Sequence, residues 1–425
     1  MKRSANRDFV GARVVDPTLD LDAVRTIVVR NGVIAALLDD APAAADPEVE
    51  RVDCAGMILC PGFIDPHVHL REPGDAHKET LASGLSAAAA GGFTAVAAMP
   101  NTRPAIDDAA AVRRVARDAA AAGRVRTYVI GAVTRGRNGT SIAELRSMAD
   151  AGAVAFSDDG SSTASLKALY NAALSIADLS QPFLSHCEDS SFSDSLMHEG
   201  AISDLLGVAG SPSIAETAIA ARDALVARAT GKAWHLCHVS AAQTIDVVRW
   251  ARDQGARLTA EVTPHHLLCT DDSLLGYDAR MRVNPPLRTA ADTAALRRAV
   301  ADGIITIFAS DHAPHAAAEK EPPLSHACAG FSGLETAVGA TFHALPDVAL
   351  ATMVANFSTN VAALLGVPGG TLKVGAPADI TGLYLDRPWT VEPERFKSLG
   401  RITPFAGKRF TVRPALAVVG GEIVA

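Results

Sequence analysis

Between Gly62 and Asp311 the chain alternates short apolar runs with helical stretches, and it does so eight times. The runs are Gly62 to His69, Thr94 to Pro100, Arg126 to Val133, Ala153 to Asp159, Pro182 to His186, Ala233 to His238, Leu258 to Thr263 and Ile304 to Asp311. Apolar runs of this length separated by helices need crossover connections, so they predict parallel strands covered by helices. Eight such units predict an α/β fold, the (β/α)8 TIM barrel. An open doubly wound sheet would carry a glycine-rich phosphate turn after its first strand, and none follows His69. Helix starts are expected at Ser141 with Glu144, Ser213 with Glu216 and Ser240 with Gln243, the spacing at which two residues cap each other's backbone. Gly91, Gly152, Gly231, Gly255 and Gly303 stand where helices should stop.

The two chain ends break this pattern. Ala12 to Val15, Thr26 to Arg30 and Val33 to Leu37 are short and β-like, with Asn31-Gly32 as a hairpin turn between the last two. After about Gly366 the style returns in Leu372 to Val374, Ile380 to Tyr384 and Pro414 to Val419. We expect residues 1–58 and 366–425 to join in one small composite β domain beside a barrel of residues 59–365. A chain of 425 residues, 48% of them hydrophobic, suffices for both cores.

Charge narrows the function classes. The formal net charge is -8, no basic stripe is present and aromatics make up 5%, so nucleic acid is not an expected partner and a small polar molecule is. No apolar stretch reaches the about 18 residues of a membrane span, and Met1-Lys2-Arg3-Ser4-Ala5-Asn6 is not a signal-type apolar start. The expected compartment is the cytoplasm. Cys54, Cys60, Cys187, Cys237, Cys269 and Cys328 lack paired spacing, which predicts free thiols. Cys187 and Cys237 adjoin His186 and His238, and strand alternation is expected to turn both thiols away into the helix layer.

Chemistry-bearing residues gather at the ends of these runs. His67 and His69, at i and i+2 of one strand, share a face, and neutral imidazole is the commonest zinc ligand. Two imidazoles half-fill a four-coordinate shell. His186, His238 and one carboxylate of the pair Asp158-Asp159 close later runs, and Asp311 closes the eighth. In a barrel such strand ends meet at one mouth. Two His from the first strand, one each from the fifth and sixth, and a fourth-strand carboxylate between them predict a binuclear centre, where paired divalent ions acidify water into a nucleophile. Asp311 is then placed for general acid–base work, taking a proton from that water and passing it to a leaving nitrogen. Alternation says only that one of Asp158 and Asp159 faces inward. His265 and His266 follow the seventh strand and could line the mouth, whereas His77, His198, His235, His326 and His343 are expected to be solvated or packed.

The segments Asp65-Pro66-His67-Val68-His69-Leu70-Arg71-Glu72-Pro73-Gly74, Gly91-Gly92-Phe93-Thr94, Met99-Pro100-Asn101-Thr102, Phe156-Ser157-Asp158-Asp159-Gly160, His186-Cys187-Glu188-Asp189 and Ser310-Asp311-His312-Ala313-Pro314-His315 resemble class I dihydroorotases of the amidohydrolase superfamily. Gly375-Ala376-Pro377-Ala378-Asp379-Ile380 resembles that superfamily's entry into its C-terminal β segment, so the likeness spans nearly the whole chain. It implies zinc-dependent, reversible cyclisation of N-carbamoyl-L-aspartate to L-dihydroorotate in de novo pyrimidine biosynthesis. It further implies two Zn2+ per chain, His67 and His69 on one and His186 and His238 on the other, with Asp159 bridging and Asp311 as the catalytic carboxylate that also touches a metal. Arg71, His69, Asn101, Asn284 and His315 would hold the substrate, Arg71 by a two-pronged grip on its carboxylate. The chain departs from the family at Cys328-Ala329-Gly330, where Pro-Phe-Gly is usual; an aromatic contact is lost and backbone contacts from Ala329 and Gly330 are kept.

The resemblance leaves open a homodimer and an association with aspartate carbamoyltransferase. Two other readings stand beside it. Dihydropyrimidinases and allantoinases resemble one another in a modified Lys on the fourth strand, where this chain has Asp158-Asp159. A non-catalytic dihydroorotase-like subunit of aspartate carbamoyltransferase typically lacks the metal ligands that this chain keeps.

Overall fold

Eight parallel strands close on themselves. In the computed structural model, which describes residues 6–40, 48–321 and 323–425, they are Phe63–Val68, Phe93–Ala98, Arg126–Gly131, Ala153–Phe156, Phe183–Ser185, Trp234–Leu236, Leu258–Val262 and Ile307–Phe308. They pair in chain order, and a parallel bridge from Val68 to His312 joins the first to the eighth. His69 N–H donates to His312 O at 2.9 Å across that seam. Between strands run the helices Leu81–Ala90, Ala109–Ala122, Leu145–Asp150, Leu166–Ser175, Ser213–Thr230, Ala242–Asp253 and Ala290–Ala301, with Ala337–Ala344 after the eighth strand. This is the expected barrel. Met1 to Ala5, part of the start read above as no signal segment, lie outside the described residues.

Side-chain size explains the layering. Ala95, Ala97 and Ala155, with Ile64, Met99, Ile130, Leu184 and Ile307, fill the narrow interior. Val361, Ala362 and Leu365 of the helix Thr359–Leu365 plug it. Phe63, Phe93, Phe156, Phe183, Trp234 and Phe308 face the helices instead, each contributing about 2 kcal/mol by burial.

Helix ends follow the sequence only in part. Gly91 and Gly231 cap their helices, and Gly152, Gly255 and Gly303 follow one residue after the cap. The three expected capping pairs do not form. Glu144 itself stands at the cap of its helix, Ser213 is already inside the next, and Ala241 rather than Ser240 precedes Ala242–Asp253. The reason is visible at Glu216, whose carboxylate turns away from its own helix. It accepts the N–H groups of Ser240 (3.2 Å) and Ala241 (3.1 Å), and so caps the following helix.

The chain ends form one antiparallel-rich sheet. Its order is Glu422–Ile423, Arg413–Val419, Ile380–Tyr384, Ile58–Pro61, Arg7–Asp16, Leu21–Arg30 and Val33–Leu38, with Glu50–Asp53 also beside Arg7–Asp16. The two ends meet where Ile58–Pro61 pairs with Ile380–Tyr384. Asn31 and Gly32 turn with φ 52° and 77°, as a tight hairpin requires. Leu372 to Val374 is not the expected strand: Leu372 N–H is taken by Asp16 Oδ2 at 2.6 Å, which holds the segment out of the ladder. Gly62 separates the sheet from the first barrel strand where a Cβ would lie 2.2 Å from Thr94 Oγ1. Among the described residues no helix is long and apolar enough to cross a membrane.

Candidate metal centre and substrate cleft

The strand ends bring His67, His69, Asp159, His186, His238 and Asp311 together, all six buried. The first strand bulges between Asp65 and Val68, so both imidazoles face the mouth while Val68 packs among the helices. Asp158 and Asp159 part company after the fourth strand. Asp158 accepts the N–H (3.0 Å) and hydroxyl (2.7 Å) of Thr134 and the hydroxyl of Thr163 (2.9 Å). Asp159 turns to the imidazoles: Oδ1 is 3.3 Å from His67 Nε2, 3.6 Å from His186 Nδ1 and 3.7 Å from His238 Nε2, and Oδ2 is 3.6 Å from His69 Nε2. Asp311 Oδ1 lies 3.1 Å from His69 Nε2 and 3.5 Å from His67 Nε2. His238 and Asp311 reach the cluster on left-handed backbone, φ 34° and 46°, at a cost of about 1 kcal/mol or more each.

The electrostatics suit a cation. Burial pushes the His67 imidazole down, yet the charges of Asp159 and Glu261 outweigh it and hold it well above its usual range. Burial likewise opposes His186, which Asp159 and Glu188 raise to about 10. Against their own burial, Asp159 and Asp311 are held well below the usual carboxylate range by the imidazoles around them. His67 Nε2 and Asp159 Oδ1 face each other, both buried and neither hydrogen-bonded. Each such orphan costs about 1–3 kcal/mol, which a cation bound by both removes. Imidazole nitrogens with carboxylate oxygens are the donor set that zinc takes, and His67, His69 and Asp311 form one three-ligand group and His67, Asp159 and His238 another.

Sequence reasoning passed over Glu261. Its Oε1 accepts from His67 Nδ1 (2.8 Å) and from His238 N–H (3.1 Å), and its Oε2 meets His235 Nε2 at 3.0 Å. This fixes Nε2 of His67 as the nitrogen that faces the centre. The signal was present, since Glu261 is the one acid in the apolar run Leu258 to Thr263. Glu188 at His186 Nε2 (3.0 Å) and Asn101 Oδ1 at His69 Nδ1 (2.8 Å) orient two further imidazoles. Cys237 corrects an expectation: it packs inside the barrel with Leu184 and Ile307, within 4.8 Å of His67 and Glu261. His235 and Cys237 alternate inward, and only the turned backbone of His238 brings that residue to the mouth as well. Cys187 does lie in the helix layer, and all six cysteines are free.

Beside the centre opens a cleft of ≈ 210 Å³, lined by His69 and Asp311 and by Arg71, Asn101, Asn284, His315, Ala329 and Gly330. Arg71, on left-handed backbone at φ 62°, donates from Nε to Pro314 O (3.2 Å) and has no ion-pair partner among the described residues. Burial and the neighbouring Arg71 push His315 down to about 3, so it is neutral and donates from Nε2 to Ala329 O (2.8 Å). The backbone contacts expected at Ala329 and Gly330 are partly taken already. Gly330 N–H goes to Arg282 O (2.9 Å), on backbone at φ 112° where a Cβ would lie 2.8 Å from Ala313 Cβ. His266 does not line the mouth openly but braces it, meeting Thr263 Oγ1 (2.7 Å) and Pro285 O (3.0 Å) beside Asn284.

Comparison with known proteins follows the same lines. Residues 56–244 match the family model described as dihydro-orotase-like. A dihydroorotase of Pelotomaculum thermopropionicum is 43% identical over 418 residues, 97% of each chain, and one of Syntrophus aciditrophicus is 40% identical over 97% of this chain and 98% of its own. Among solved structures, the L-hydantoinase (dihydropyrimidinase) of Arthrobacter aurescens superposes with a TM-score of 0.88 at 25% identity, covering 99% of this chain and 96% of that one.

Proposed function

This chain belongs to the dihydroorotase family, and from that premise we propose how its own residues carry the reaction. The enzyme is a cyclic amide hydrolase that interconverts N-carbamoyl-L-aspartate and L-dihydroorotate. The observation that carries the assignment of roles is Asp159, set between the His67–His69 and His186–His238 pairs, beside a cleft lined by Arg71, whose guanidinium has no ion-pair partner among the described residues. We assign the chain to class I and its catalytic work to residues 59–365, with residues 1–58 and 366–425 as the accompanying β domain, in the cytoplasm where free thiols persist.

Two zinc ions would be held by His67 with His69 and by His186 with His238, Asp159 reaching both and Asp311 touching one, and they would supply Lewis acidity and an acidified water. Arg71 grips the substrate carboxylate with its planar fork, which fixes the ring relative to the strand ends. Asn284 offers an amide to the ring edge. Asn101 turns its Nδ2 N–H groups to the cleft, because its Oδ1 already orients His69. Neutral His315 reads by hydrogen bond rather than by charge. In ring opening Asp311, kept ionised, accepts the proton of the attacking water and delivers it to the leaving ring nitrogen as the C–N bond breaks. In closure it returns the proton in the reverse order.

The test is an assay of purified protein, with metal content measured alongside. Dihydroorotate, dihydrouracil, hydantoin and allantoin are offered separately, and turnover of the carboxylated ring is expected. Preferential turnover of an uncharged ring would overturn the assignment.

A further inference from the structure

Arg137 has no task in the mechanism above. It ends the short turn Arg135–Arg137 on the loop after the third barrel strand, and it reaches across to the loop after the fourth. A Cβ placed on Gly160 would lie 3.2 Å from Arg137 Nη2 and 3.3 Å from Asn101 Nδ2. The two nitrogens therefore flank Gly160, which with Asn101 lines the cleft.

The guanidinium is poorly matched within the protein. Nη2 has a single long contact, 3.5 Å to Ser161 Oγ, while Nε is buried without an acceptor. Among the described residues Arg137 has no ion-pair partner, and Asp158, whose charge it feels, is already engaged by Thr134 and Thr163. Its backbone is left-handed at φ 58°. A non-glycine residue held there, with a half-buried cation whose Nε lacks an acceptor, is a cost that a bound anion would offset.

The chemistry of that anion follows from the donors. Asn101 Oδ1 is taken by His69 Nδ1, so Asn101 presents only its Nδ2 N–H groups to the cleft. Beside it stands a guanidinium, again a donor only. Two donor groups, one of them charged, fit a carboxylate and ill suit the N–H edge of a ureide. We propose that Arg137 is a specificity-determining residue which, with Asn101, reads the carboxylate common to dihydroorotate and carbamoyl aspartate, in addition to Arg71. This rests on the dihydroorotase assignment above.

Arg137→Gln keeps a polar side chain and removes the charge, whereas Arg137→Lys keeps the charge and loses the fork. KM should rise about tenfold or more in both directions in the Gln variant, with kcat within about threefold and metal content unchanged, because a carboxylate held equally in ground and transition state is lost. The Lys variant should recover much of that KM. Unchanged KM in the Gln variant, or equal impairment of the Gln and Lys variants, overturns the inference and leaves Arg137 as a tie between loops. Wild-type protein without dihydroorotase turnover would instead remove the parent assignment, and this inference with it.

Discussion

Asp159 is the residue at which both imidazole pairs meet, its two oxygens facing His67, His186 and His238 on one side and His69 on the other. With two zinc ions bound as proposed, Asp159→Ala should lower bound zinc below two equivalents per chain and cost more activity than the 10–100-fold typical of a residue that only orients a ligand. Elemental analysis that finds the variant fully loaded would remove the bridge. Glu261 is such an orienting residue. Glu261→Gln leaves His67 Nδ1 a neutral acceptor in place of a carboxylate, so zinc affinity should fall about 10–100-fold in competition with a chelator. Unchanged affinity would show that His67 is fixed by packing alone. The sequence could nominate His67, His69, His186, His238 and Asp311 because each closes an apolar run, where imidazoles and acids are conspicuous. It could not place Glu261, whose partners His67, His235 and His238 come from other strands, nor Cys237, because alternation presumes extended backbone and His238 leaves it.

Barrel elements were readable because strand and helix periodicity is local, and glycine stops are local too. Caps were not, since Glu216 had a choice between its own helix and the N–H groups of Ser240 and Ala241, and only tertiary packing decides it. The eighth strand shows the same limit: the apolar run from Ile304 to Asp311 keeps ladder pairing only at Ile307–Phe308, and by Asp311 the backbone is left-handed. The segment after it forms the cleft wall, and Lys320 clamps it, donating from Nζ to Arg282 O (3.1 Å) and Cys328 O (2.9 Å). Burial pushes this amine from its usual 10.5 down to about 8. The folded state therefore holds fewer protons on Lys320 than the unfolded state does. That cost is full below pH about 8 and fades as the pH climbs toward the unfolded value. Between pH 8 and 10 the wild type should gain on the order of 2 kcal/mol relative to Lys320→Met in denaturant melts, with KM raised in the variant as the wall loosens. A stability difference independent of pH over that range would contradict it.

At the scale of the whole molecule, fold and centre close in the same step. The strand Ile58–Pro61 pairs with Ile380–Tyr384, then runs through Gly62 into the first barrel strand, and that strand's His69 N–H completes the barrel on His312 O. The seam that shuts the barrel thus sets His69 beside Asp311, 3.1 Å apart. The β-like style of both chain ends was visible in the sequence, while their order in the sheet was not, because it depends on pairings more than 300 residues apart. What the closed molecule does with protons follows from its reaction. Carbamoyl aspartate carries two carboxylates and dihydroorotate one, so ring opening releases a proton and the open form gains about tenfold for each pH unit above the carboxyl range. One enzyme catalyses both directions, so the ratio of its two kcat/KM values must carry this dependence. Asp311 is held well below its ordinary range by His69 and His67 and stays ionised throughout the working range. The rise of kcat/KM for hydrolysis with pH should therefore reach a plateau set by the metal centre and not by Asp311, while kcat/KM for closure, which needs a proton delivered, falls as pH rises. Asp311→Asn should lower both directions about 100- to 10,000-fold with zinc still bound by the imidazole pairs. Substantial activity in that variant, or the same pH trend in both directions, would take the proton transfer away from Asp311.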